Sequence, residues 1–190
     1  MFKILFPIIS TILLFVQTTQ AFDFSESYFI RRQAELAGIV MEPQTFQAGE
    51  VYTYSEWYMG RQHRFVTIMD VENRTVHYVE KIYRDDIDNI EGWVDAESGQ
   101  LTKVIVNGEE RTVRMRKAVP LTVVGAKETV GSPIGEVEAV RINFISSPGT
   151  VVTKNEDVLI SPIVPGSGLI RHKATTLSGD FSSKWLEYSK

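Results

Sequence analysis

Apolar residues recur with two different periods along this chain, and the change falls near residue 50. Before it, Ile30, Ala34, Ala37 and Met41 recur at i, i+4, i+7 and i+11, with Phe29, Leu36 and Val40 widening the arc. Arg31, Arg32 and Glu35 fall on the opposite side, so the spacing predicts an amphipathic helix over about 24–41. Asp23 can cap its start with Glu26 three residues on, Gly38 loosens the last turn, and Pro43 forbids continuation.

From Glu50 onward the period is two. Segments 51–59, 65–71, 75–83, 93–94, 101–106 and 111–117 read as strands, followed by 126–130, 136–145, 151–160, 169–177 and 182–188. Asn107-Gly108 is the strongest hairpin signal among their joints. Ser132-Pro133-Ile134-Gly135, Ser147-Pro148-Gly149 and Ser178-Gly179-Asp180 mark others. About ten strands at near-regular spacing, with no second helical pattern of that quality, predict a mainly β fold of sequential antiparallel neighbours. Several strands are apolar on both faces, as at Phe65, Val66 and Ile68 or at Val76, Tyr78 and Val79. One face then meets a covering element while the other packs or holds something apolar. The expectation is a curved antiparallel sheet, a half-barrel, covered by the N-terminal helix.

The first 21 residues set the compartment. Lys3 supplies a positive start, residues 4–16 are apolar except for Ser10 and Thr11, and Thr19 and Ala21 stand at −3 and −1 of a cleavage site. The apolar core of 13 residues is shorter than the ~18–20 that cross a bilayer as a helix. A cleaved signal peptide over 1–21 and one domain over 22–190 follow, with no membrane span after cleavage. The net charge of −4 argues against a general nucleic-acid binder. With no cysteine there is no disulfide framework, thiol nucleophile or cysteine zinc site, which fits a bacterial periplasmic protein.

Three stretches carry a resemblance. "WVDAESGQLTKVIV" (93–106) is similar to a strand–turn–strand idiom of periplasmic half-barrels, D-x-x-[ST]-G-x-L ending in a basic residue. "GAKETVGSPIGEVEAVRINF" (125–144) resembles their paired strands around a Pro-x-Gly turn, and "ISPIVPGSGLIRHKA" (160–174) resembles their late turn. Over 93–174 the chain thus resembles the LolA- and LolB-like lipoprotein carriers and related bacterial envelope families of unknown function. The resemblance implies a signal peptide, an incomplete barrel, covering helices and a hydrophobic concavity. It transfers no ligand and no site residue. By its own turn chemistry, the 161–168 stretch reads as a broad turn at a sheet edge.

The candidate residues fall into two groups. Tyr52, Tyr54, Trp57 and Tyr58, with Phe65, Ile68 and Tyr78, are candidates to line the concavity, although Trp57 alternates away from the tyrosines. Arg111, Arg114, Arg116 and Lys117 are candidates to dock an acidic partner or phospholipid headgroups. Asp85, Asp86 and Asp88 lack the donor spacing of a calcium loop. His63, His77 and His172 show no zinc spacing. No nucleophile elbow, Walker loop or dinucleotide fingerprint occurs. The functional expectation is therefore a periplasmic, non-enzymatic binding or carrier protein without cofactor, taking a lipid, an acyl chain or a lipidated partner. The alternative is an envelope interaction or assembly factor whose barrel is filled by its own side chains.

Overall fold

The computed structural model describes residues 24–42, 46–57, 61–83, 87–113, 115, 120–146, 154–176 and 179–189. A helix, α1 (Phe24–Leu36), precedes β1 (Val51–Trp57), β2 (Arg61–Glu72), β3 (Thr75–Tyr83), β4 (Ile87–Asp95), β5 (Leu101–Val106) and β6 (Glu109–Arg111). After them come β7 (Leu121–Ser132), β8 (Gly135–Ser146), β9 (Lys154–Ile160), β10 (Leu169–Thr176) and β11 (Gly179–Ser189). All pair antiparallel in one 11-stranded sheet of order β6-β5-β4-β3-β2-β1-β11-β10-β9-β8-β7. The chain therefore meanders from the middle of the sheet to one edge, crosses to the other edge, and meanders back.

That crossing requires the sheet to curl. Laid flat at ~4.8 Å per strand, 11 strands would separate β6 from β7 by about 48 Å. The chain from Arg111 to Leu121 reaches at most about 36 Å when fully extended. The sheet is accordingly open and curved, the predicted half-barrel. The edges are guarded in two ways. β6 has three residues, and the longer β7 is bulged between Leu121 and Val123 and between Val124 and Lys127.

α1 lies inside the curl. Its first half packs Phe24 and Tyr28 on Tyr52, Tyr54, Val66, Ile68 and Tyr78. Its second half packs Ile30 and Ala34 on Val140, Ile142, Val158 and Ile160 of the other half-sheet. The helix stops at Leu36, short of the expected 41, for a local reason. Gly38 takes φ +89, Ile39 N donates to Ala34 O at 3.0 Å and Gly38 N to Glu35 O at 2.9 Å, a Schellman termination. The helical stripe expected to run on through Val40 thus ends early, and Val40 is exposed. Arg31, expected on the polar side, is buried.

Candidate functional site

The inner face of β1–β3 follows from parity. Tyr52, Tyr54 and Glu56 share one side of β1, Arg64, Val66 and Ile68 one side of β2, and Val76, Tyr78, Glu80 and Ile82 one side of β3; all are buried. Each strand thus places one charged residue among its apolar ones. They converge: Arg64 Nη1 lies 2.8 Å from Glu80 Oε1, Nη2 contacts Glu56 Oε1, and the guanidinium lies 5.8 Å from the Tyr54 ring centroid. The Glu80 carboxylate also accepts from the Phe24 backbone N–H through Oε2 at 3.1 Å. The sheet therefore caps the helix, and a carboxylate at this end suits the helix dipole. At the neighbouring rim, Glu50 accepts from Tyr52 Oη at 3.1 Å and Tyr188 Oη at 2.8 Å. Burial pushes the phenols of Tyr28, Tyr52 and Tyr54 above their usual range.

The stretches 93–106 and 160–174 both grip α1. In the β4–β5 turn, Asp95 Oδ1 accepts from Ser98 N at 2.6 Å and Ser98 Oγ at 2.8 Å, and Gly99 N donates to Asp95 O at 2.8 Å. Gly99 takes φ +69, and a Cβ there would stand 2.7 Å from Phe29 Cα, so the turn can approach the helix backbone only with glycine. Across the helix, Arg31 donates to the Glu42 and Gly166 carbonyls, and Glu42 N donates to Pro162 O. The 161–168 stretch is thus no edge turn. It joins two interior strands, Ser161, Val164 and Ser167 are buried, and Ser161 Oγ donates to Glu138 O at 2.5 Å. Its prolines sit where the chain leaves the ladder to close over the core.

The candidate concavity residues divide by face. Tyr52, Tyr54, Ile68 and Tyr78 do look inward, but into a filled core: each is at most 3% exposed beneath Phe24 and Tyr28. Phe24 meets Tyr28, Tyr52 and Tyr78 with ring centroids 5.1–5.8 Å apart. Trp57 and Phe65 are not in the concavity. They lie on the outer face, 57% and 37% exposed, where the strict period of two puts them. Tyr58 lies outside the described residues. A groove of about 440 Å³ runs between α1 and the β4–β5 turn, lined by Phe29, Leu36 and the polar Arg32, Asp95, Glu97 and Ser98.

The expected basic strand over 111–117 is shorter than its pattern. β6 ends at Arg111, which is exposed and pairs with Glu109 at 2.7 Å. Arg114, Arg116 and Lys117 lie outside the described residues. The histidines do not converge. His63 is exposed, and His77 stacks on Trp93 at 4.3 Å with Nε2 2.8 Å from Glu91. His172 is buried, 2.6 Å from Glu156. The sequence reading missed the Glu56–Arg64–Glu80 cluster. The signal was there, one charge among the apolar positions on the same face of three successive strands.

No protein-family model matches the chain, and no curated protein matches it. Solved structures resemble it at low identity. A candidate lipoprotein of Parabacteroides distasonis is 12% identical with a TM-score of 0.46, covering 78% of this chain and 97% of that one. A hypothetical protein of Chlamydia trachomatis is 11% identical with a TM-score of 0.48, covering 75% and 87%. A candidate exported protein with a YmcC-like fold from Bacteroides fragilis is 10% identical with a TM-score of 0.43, covering 80% and 99%.

Proposed function

We propose that this chain is a periplasmic, non-enzymatic interaction module whose barrel is filled by its own side chains and whose outer face meets the partner. One observation carries the reading. The inner face, where a carrier of this build would hold an acyl chain, is occupied by the Phe24 and Tyr28 rings and closed by α1. The export signal in the first 21 residues supports the compartment. The resemblance to LolA- and LolB-like half-barrels supports an envelope role without requiring their cargo.

Native mass spectrometry and lipid extraction of the protein purified from its own cells test this directly. The expected result is a chain mass without bound lipid, both before and after delipidation. A stoichiometric acyl lipid released only on unfolding would replace this reading with that of a carrier.

A further inference from the structure

The outer face carries an ordered mixture of rings and cations. In register, Arg171 stands opposite Lys184, Lys184 opposite Ser55, Ser55 opposite His63, and His63 opposite Tyr83. This row crosses five strands from β10 to β3, a width of about 19 Å. Directly opposite residues point to the same side of a sheet, so the row faces outward together. One step along the strands lies the row Lys173, Ser182 and Trp57, and one step the other way Glu187, Thr53, Phe65 and Lys81. Trp57, Tyr83 and Phe65 are 57%, 43% and 37% exposed, and Phe65 and Tyr83 meet edge-to-face at 5.3 Å. Lys81, Lys173, Lys184 and His63 are exposed, and Arg171 is half-buried. Glu187 is the acidic residue within these rows, and Asp157 on β9 stands opposite Lys173.

We propose that this patch docks the protein onto an anionic lipid surface. Trp, Tyr and Phe rings are the side chains that partition to the headgroup level, one edge apolar and the other wetted. Lysines interleaved with them match anionic headgroups. An acidic chain of net charge −4 is repelled by such a surface overall, so attachment falls to a local patch of this kind. A side-chain-filled sheet also gives a firm platform, since inward-facing Tyr54 and Ile68 fix the strands from beneath. The proposal rests on the reading that the outer face is the working surface. It fails separately from that reading, because it is read from vesicle binding and not from bound cargo.

The test is co-sedimentation of the protein, purified from its own cells, with vesicles of phosphatidylglycerol and phosphatidylethanolamine or of phosphatidylcholine alone. Binding to the anionic vesicles, weakened by salt and at least tenfold stronger than to the neutral ones, is expected. Each lysine near such a surface contributes roughly fivefold, so the double reversal Lys81→Glu/Lys184→Glu should lower binding by tenfold or more. Trp57→Ser should lower it severalfold, with circular dichroism and thermal midpoint near those of the parent. Absence of vesicle binding, equal binding to both vesicle types, or unchanged binding by the double reversal would overturn the proposal, a protein-specific face being one way to the first result.

Discussion

The backbone N–H of Phe24 donates to the side chain of Glu80, 56 residues away, at 3.1 Å, and both residues are buried. The helix start, the inner face of β3 and the Arg64 guanidinium are thereby one unit. Removing one member of a buried ion cluster leaves its partner uncompensated. Glu80→Ala should therefore lower unfolding stability by about 3–5 kcal/mol in urea titration. The triple replacement Glu56→Met/Arg64→Leu/Glu80→Met should recover most of that loss, since an apolar core of similar volume is often no worse than a buried ion pair. A triple variant as unstable as the single one would show that the cluster stabilises the fold in its own right.

Gly99 and Gly38 both take positive φ, but a Cβ on Gly38 meets nothing within 4 Å, whereas one on Gly99 meets Phe29 Cα at 2.7 Å. Gly38→Ala should cost about 1–2 kcal/mol for the left-handed backbone alone. Gly99→Ala should cost that plus about 1–3 kcal/mol for pushing α1 off the turn. Equal losses in parallel denaturant titrations would mean that the β4–β5 turn does not clamp the helix.

The two faces should respond differently to truncation. Ile68→Ala, on the inner face, should cost about 2–5 kcal/mol. Phe65→Ser, three residues earlier but on the outer face, should stay within about 1 kcal/mol of the parent. Thermal midpoints measure both, and a reversed order would invert the assignment of faces.

Tyrosine ionisation gives a pH prediction. Burial, with the Glu50 carboxylate adding to it, pushes the Tyr188 phenol up to about 12, and burial raises Tyr28, Tyr52 and Tyr54 as well. A group whose folded pKa exceeds its unfolded value of about 10 contributes its full stabilisation below pH 10 and loses it as pH rises through the folded value. Stability should thus fall progressively above pH 10, and the 295 nm absorbance of the inner tyrosines should rise together with loss of near-ultraviolet dichroism. Complete ionisation near pH 10 with the fold intact would contradict their burial.

The sequence was most informative where turn residues bound an alternating run. The β3 and β5 spans matched their expected limits because Asn73-Arg74 and Asn107-Gly108 mark the turns that bound them, with clean alternation along β3. The helix overran in the reading because Val40 and Met41 prolong the apolar stripe past a glycine whose carbonyl-capping role shows only in hydrogen bonds. Arg31 reads as polar surface, and only the folded chain brings the Glu42 and Gly166 carbonyls to its guanidinium. Parity already set Trp57 opposite Tyr52, so its exposure was legible, whereas the filling of the concavity was not. That depends on where α1 sits relative to two half-sheets joined by the β1–β11 pairing, a contact between the two ends of the domain.

Amide hydrogen exchange of α1, followed at Ile30 and Ala34, tests the filled-barrel account most directly. A helix that is part of the core should exchange only with global unfolding, in step with the Tyr52 and Tyr78 amides of β1 and β3. Helix amides that open at far lower free energy while those strands stay protected would make α1 a lid over a cavity, and would contradict the account.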